Sequence, residues 1–361
     1  MTTTKAAILN KYETPLSIEE VEYAKPGDGQ VLVKLMASGV CHSDYHVIKG
    51  EWTQVPTPNI LGHEGAGVVE QIGPGVTSVA PGDHVILSWR RNCGICEACQ
   101  KGFPNLCVLQ VDPQTQPKRG EEKINQFIGL GTFADYTVVT KENVVKIDND
   151  IPFPQAALLG CGVMTGVGAA INTVNVEPGS SVAVFGCGGV GLNCIQGARI
   201  SGAHPIIAVD MMDNKLELGK QFGATHTVNA GREDAVERIR EITGGLGAHY
   251  AFEAIGLVEQ PYHQSIECTR SRGVTVLVGH APTDLKITIS PRILIAEKTV
   301  IGSLYGTARP HVDFPRLLSL YKAGKLMLDE LVSREYRLDQ VNDAFDALAK
   351  GDVARSVLRF D

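Results

Sequence analysis

The chain has 361 residues, of which 43% are hydrophobic and 20% charged, with a formal net charge of −7. That length suits two domains with a sizeable core, and the composition excludes disordered, collagen-like and disulfide-scaffold proteins. An acidic balance with no Lys/Arg stripe argues for no nucleic-acid partner and no anionic-membrane role.

The first residues, Met-Thr-Thr-Thr-Lys-Ala-Ala, contain no apolar signal stretch, so a cytoplasmic location is expected. Segments 31–36, 65–72 and 84–88 are rich in β-branched residues and predict short strands. Asp28-Gly29, Gly73-Pro74-Gly75 and Pro81-Gly82-Asp83 punctuate them as turns. The longest uncharged run is 151–176, and its densest part, 156–171, falls short of the roughly 20 apolar residues of a membrane span. It predicts a buried helix start or a glycine-rich turn. From about residue 179 the rhythm changes. Apolar runs at 181–185, 205–209, 225–229, 250–253 and 273–279 alternate with helical stretches reaching 201, at 215–222 and at 234–243. Such alternation predicts a parallel sheet covered on both faces. The expected division is a mostly β domain over 1–163, completed by 305–361, and an α/β domain over 164–304. The β-like tail at 355–360 is expected to return to the first domain.

Nine cysteines, an odd number, argue against a disulfide framework. Cys93, Cys96, Cys99 and Cys107 follow a C-x2-C-x2-C-x7-C spacing. Two-residue gaps let thiolates converge on one ion, and four thiolates suit a closed, structural tetrahedral zinc. An iron–sulfur cluster or unpaired loop cysteines are the alternatives. A second set is dispersed: Cys41-His-Ser-Asp-Tyr-His46, Gly62-His63-Glu64 and Gly160-Cys161-Gly162. Singly each is weak, since a lone buried Cys is usually a small hydrophobe. Together Cys41, His63 and Cys161 offer two thiolates and an imidazole, which leaves a fourth position for water or substrate.

A third motif is Phe185-Gly186-Cys187-Gly188-Gly189-Val190-Gly191, placed between a predicted strand and a predicted helix. Glycines there allow a pyrophosphate to approach the helix N-terminus, whose N–H groups and dipole favour an anion. Asp210 ends the next strand, where a carboxylate accepts from the adenosine ribose and repels a 2′-phosphate. NAD is therefore expected over NADP.

With these motifs in order from Lys5 to Phe360, the chain resembles the zinc-dependent alcohol dehydrogenases of the medium-chain dehydrogenase/reductase superfamily. The resemblance implies a GroES-like barrel carrying both metal sites and a Rossmann cofactor domain, with two zinc ions and NAD per chain. Leu159-Gly-Cys-Gly-Val-Met-Thr165 and the long first domain are similar to the class III-like branch, and residues 161–172 look most like its mycothiol-dependent formaldehyde dehydrogenases. By position, Cys41, His63 and Cys161 match catalytic zinc ligands, and the four-cysteine lobe matches structural zinc. Ser43 matches the hydroxyl touching the substrate oxygen, and His46 matches the base of a proton relay. Asp44 matches the carboxylate orienting the ligand His, and Glu64 a transient zinc ligand. His42, Thr165, Gly186, Gly188, Gly189, Val190, Gly191, Asp210, Lys215 and Arg355 match cofactor contacts. His42 departs from the Arg of many members. Trp52 and Trp89 match positions facing the substrate cleft. Bland alternatives stand beside these roles: Glu64 holding a loop, Arg355 as a surface strand residue, His46 as a solvated turn residue, either Trp in the core.

The implied activity is reversible oxidation of primary alcohols, small or aromatic, to aldehydes by a homodimer or homotetramer. The alternative is a thiol-adduct formaldehyde dehydrogenase, and a remote one a non-enzymatic zinc protein. The glutathione-using branch has acidic residues after the relay His and an Arg after the lobe, where this chain has Gly50, Trp52 and Val111. Lys118, Arg119 and Lys123 could instead meet an anionic adduct or simply be solvated. Cys187, Cys194 and Cys268 read as packing residues.

Overall fold

The computed structural model describes residues 1–109, 115–282, 284–351 and 354–360; Val111 lies outside them. The chain divides into two compact units, Met1–Cys161 with Arg309–Tyr321 and Leu328–Asp361, and Gly162–Ala308 with Lys322–Met327. This division differs from the expected one mainly at 322–327. Gln196 exchanges two hydrogen bonds with the Met327 backbone, at 2.7 and 3.2 Å, and Arg199 donates to the Lys325 carbonyl. Side chains of one helix thus hold that short segment within the second unit.

The first unit is built on two sheets. Strand Gln30–Val40 is the spine of the larger one, pairing with Gly65–Ile72, Tyr136–Thr140 and Arg355–Arg359. It is buried almost throughout, because Val31, Val33 and Leu35 face a core shared with Val69, Val85, Leu87, Phe133 and Leu358. The C-terminal strand lies antiparallel against Val40 through Ser356, so the tail completes this unit. The smaller sheet is led by Thr2–Leu9 paired with Ser17–Tyr23, two strands the sequence reading did not single out. Ser17–Tyr23 carries Glu19, Glu20 and Glu22 on a partly exposed strand, and acidic residues are poor strand signals.

The second unit contains a six-stranded, all-parallel sheet. Its spatial order is His226–Asn229, Ile206–Asp210, Val182–Phe185, Ala248–Glu253, Thr269–Leu277 and Thr299–Gly302, that is third, second, first, fourth, fifth, sixth. This is the doubly wound order, with its switch point beside Val182–Phe185, where dinucleotides bind at the carboxyl ends of the strands. All four residues of that first strand are buried, as a strand covered on both faces requires. Asp234 caps the helix Ala235–Ile242 by accepting from the Val236 and Glu237 N–H groups.

The uncharged run of the sequence is helical from Phe153 to Thr173, long and apolar enough by composition to cross a membrane but mostly buried inside the protein. It contains wide turns at Leu159–Val163 and Ala169–Thr173 with the i→i+5 pattern. Such bulges accommodate residues whose side chains are wanted out of helical register.

Candidate active site and metal centres

Three segments of the first unit converge on one point. Cys41 precedes the helix His42–Ile48 directly after the spine strand, His63 and Glu64 lead into Gly65–Ile72, and Cys161 sits in the first wide turn. One ligand atom from each of Cys41, His63, Glu64 and Cys161 lies within 4.8 Å of the others. His63 Nδ1 faces the buried Asp44 carboxylate at 3.2–3.3 Å, and Asp44 also accepts from the Gly62 N–H at 2.8 Å. Nδ1 is therefore the protonated nitrogen, and Nε2 is turned toward the sulfurs. That Nε2 is buried with no hydrogen-bond partner among the described residues. A lone pair so placed beside two thiols fits a soft, tetrahedral metal ion such as zinc, with Asp44 orienting the imidazole.

The electrostatics follow from burial. The thiol of Cys41 is pulled well down, first by its contact with Cys161 and then by His63, against the opposing effect of burial. Cys161 is pushed well up by the same contact and by burial, so the pair readily loses one proton and resists losing the second. Burial works against charge on His63, but Asp44 and Cys41 outweigh it and raise its pKa. Burial raises Asp44, with His63 pulling the other way. A metal ion binding here displaces the protons these groups hold.

Glu64 lies behind this cluster, fully buried, and its carboxylate is paired with Arg355, which also donates to the Val40 carbonyl at 3.2 Å. Arg355 is 4% exposed, so it is not a surface strand residue. Burial opposes its charge, yet Glu64 and the cysteine sulfurs together raise its pKa. Glu64 itself is raised by burial despite Arg355. Gly39 makes the arrangement possible: a Cβ there would sit 1.9 Å from Glu64 Oε2. Neither the pairing nor the role of Gly39 was foreseen, although a glycine inside a buried strand signals close approach.

Ser43 is the second residue of the helix His42–Ile48, its hydroxyl 3.7 Å from Cys41 Sγ. His42 is exposed on that helix, and its ring centroid lies 6.5 Å from that of His46. Trp52 and Trp89 are both half-buried against the first unit's core. Trp52 stacks on His46, and the Arg90 guanidinium lies over the Trp89 ring.

The second cysteine group, Cys93, Cys96, Cys99 and Cys107, likewise brings its sulfurs within 4.8 Å of one another. Cys93, Cys96 and Cys99 are half-buried and Cys107 is buried. The N–H groups of Cys99 and Val108 point at Cys96 and pull its thiol down to about 6, and those of Ile95 and Cys96 lower Cys93. Burial, with the neighbouring thiols, pushes Cys99 the other way, to about 12. Backbone donors aimed at Cys93 and Cys96 favour thiolates there, and four sulfurs so gathered can close the coordination sphere of one metal ion.

In the second unit, the turn after Val182–Phe185 runs through Gly186 into the helix Gly189–Ile200. A Cβ on Gly191 would lie 1.7 Å from the Gly186 carbonyl, so the helix can start this close only on glycine. A Cβ on Gly188 would meet nothing within 4 Å, which leaves an open cradle at the helix N-terminus where an anion fits. Asp210 accepts from the Cys187 N–H at 2.8 Å and the Met212 N–H at 3.0 Å. The carboxylate is thus aimed while keeping acceptor capacity. Lys215 stands on the next helix, and Asp210 and Lys215 both act on the buried Cys187 thiol. Thr165 lies on the helix Met164–Gly168, which packs tightly on Gly189–Ile200 at Gly166.

Arg119 pairs with Glu19 and Glu122 and donates to Asn10, so it is committed to the fold. Cys187, Cys194 and Cys268 are buried free thiols, and burial pushes Cys268 up to about 12.

Residues 27–149 match the alcohol dehydrogenase GroES-like domain family, and residues 189–323 match the zinc-binding dehydrogenase family. The chain is 38% identical to alcohol dehydrogenase B of Mycobacterium tuberculosis, covering 99% of this chain and 98% of that protein. It is 37% identical to the S-(hydroxymethyl)glutathione dehydrogenase of Paracoccus denitrificans, covering 99% and 100%. The crystal structure of benzyl alcohol dehydrogenase from Acinetobacter calcoaceticus superposes with a TM-score of 0.94 at 33% identity, with both chains fully covered. The chain belongs to the zinc-dependent alcohol dehydrogenase family of medium-chain dehydrogenases. It is an oxidoreductase that works with zinc and a nicotinamide cofactor.

Proposed function

We propose that this enzyme oxidises primary alcohols, small or aromatic, to aldehydes with NAD, reversibly. The observation that carries this reading is the convergence of Cys41, His63 and Cys161 on one point, with the buried His63 Nε2 lacking a hydrogen-bond partner among the described residues. Zinc held by those three residues supplies Lewis acidity toward the alcohol oxygen, and the nicotinamide cofactor accepts the hydride. Cys93, Cys96, Cys99 and Cys107 hold a second, structural zinc ion. Asp44 orients His63, Ser43 receives the hydrogen bond of the alcohol, and His46 is the base that passes the proton to solvent. Glu64, which brings a carboxylate oxygen to the same cluster, would serve as a transient ligand to that metal. His42, Thr165, Lys215 and Arg355 are carried over as cofactor contacts with the glycine-rich turn Gly186–Gly191. The first unit is the catalytic domain and the second the cofactor domain. Trp52 and Trp89 narrow the substrate site, favouring short and planar alcohols over bulky secondary ones.

Nine free cysteines support a reducing, cytoplasmic setting. A homo-oligomer is supported by the edge strand Thr299–Gly302, which among the described residues pairs on one side only, with Ile295 81% and Ile301 38% exposed nearby. The likeness to a glutathione-adduct dehydrogenase keeps a thiol-adduct formaldehyde substrate as the second reading.

NADH formation should be measured with a panel of alcohols, and with formaldehyde plus low-molecular-weight thiols. Turnover of free primary alcohols without thiol is the expected result, and activity confined to the thiol adducts would establish the second reading. Asp210→Gly should raise NADP use relative to NAD by on the order of a hundredfold, as removal of a like charge predicts. A wild-type preference for NADP would break the role given to Asp210.

A further inference from the structure

The helix His42–Ile48 ends in a turn through Gly50, whose φ is 69°, and the Glu51 N–H returns to the His46 carbonyl at 2.9 Å. The turn brings the Glu51 carboxylate into hydrogen-bond contact with His46 Nδ1. It also lays the Trp52 indole on the imidazole, with ring centroids 5.2 Å apart and planes 25° from parallel. Tyr12 pins the same turn by donating to the Thr53 carbonyl at 3.2 Å and to the Val55 carbonyl. The His46 side chain is 12% exposed, whereas Glu51 is 49% exposed. The ring is therefore held in its plane by a carboxylate and on its face by an indole. Of the other charged or titratable groups nearby, His42 faces it from its own helix, and Lys49 lies over the Tyr45 ring instead.

We propose that Glu51 is a positioning residue for proton removal, with Trp52 fixing the ring plane, so that Nε2 of His46 is the nitrogen that takes the proton. A carboxylate only accepts, so it holds the single hydrogen of neutral imidazole on Nδ1 and leaves the Nε2 lone pair free. A proton arriving at His46 forms the Nε2–H bond, and the resulting imidazolium is paired with Glu51. Transfer of that Nε2 proton to water restores the neutral ring with its hydrogen still on Nδ1. No electrons are transferred and no co-reactant besides water is consumed.

This inference rests on His46 being the base, and its test separates the two. The zinc-loaded wild-type enzyme and the Glu51→Ala, Glu51→Asp and His46→Gln variants should be compared. ¹⁵N-histidine NMR should show His46 as the Nδ1–H form in wild type and Glu51→Asp, and as the Nε2–H form or a mixture in Glu51→Ala. Below neutral pH, Glu51→Ala should lower kcat for alcohol oxidation by roughly tenfold, less than the loss of a general base itself. Added imidazole should restore much of it, Glu51→Asp should stay near wild type, and NADH affinity and zinc content should not change. If His46→Gln alters the pH–rate profile while Glu51→Ala alters neither profile nor tautomer, Glu51 has no such role and His46 stands as the base. If neither variant moves the profile, both assignments fall.

Discussion

The two cysteine-rich clusters use the same sulfur chemistry and are built in opposite ways. Cys93, Cys96, Cys99 and Cys107 come from one short stretch of chain, and backbone N–H groups of their own loop lower Cys93 and Cys96. Cys41, His63 and Cys161 come from three separate segments, are packed into the first unit and are tuned by buried side chains, with Asp44 on the imidazole and Arg355 paired to Glu64. The first cluster could supply all four ligands to an ion, which would leave no position for a substrate. The second could supply three, with a carboxylate beside them. Under the proposed function, local spacing builds a staple and tertiary assembly builds a reactive centre.

Removing one thiol from each cluster tests that contrast. Cys161→Ala should cut alcohol oxidation by about a thousandfold or more, since the metal supplies several kcal/mol of transition-state stabilisation. One zinc ion should be lost on metal analysis, with circular dichroism unchanged. A variant that keeps its rate would show that the buried cluster is not the reactive centre.

Arg355→Leu strikes a feature the four-cysteine lobe lacks. Leaving Glu64 buried and unpaired should destabilise the protein by about 3–5 kcal/mol in denaturant unfolding at neutral pH. The pH dependence has a definite sign. Glu64 is already raised by burial, and losing Arg355 raises it further. The cost should therefore be small below the unfolded carboxyl value of about 4.3 and should grow as pH rises through the folded value. Adding Glu64→Gln should recover much of the stability. A loss independent of pH would mean that Arg355 acts through packing alone.

Cys99→Ala should have the smallest effect on turnover, leaving kcat within about threefold while lowering the thermal midpoint and releasing one zinc ion, because structural zinc contributes folding free energy. A collapse of kcat in a folded protein would blur the distinction between the clusters.

The lobe and the glycine-rich turn were legible because each is a local device. Spacing of two residues brings Cys93, Cys96 and Cys99 together in almost any compact loop, and Gly186 to Gly191 must sit between strand and helix to be useful. Asp210 was readable for the same reason, at the end of the neighbouring strand. The pairing of Arg355 with Glu64, 291 residues away, left no such trace, and Arg355 alone reads as one more residue of a terminal strand. Thr2–Leu9 and Ser17–Tyr23 were missed because their pairing with each other, rather than their composition, makes them strands. Glu51 is near His46 in sequence, yet only the turn through Gly50 points it back at the ring. The sequence by itself determined the candidate donor atoms, the glycine-rich turn and the two-part architecture, since these depend on residue type and short-range geometry. Tertiary structure decided which charges are buried and what faces them, because the cost of burying a charge depends on partners that chain folding alone brings together.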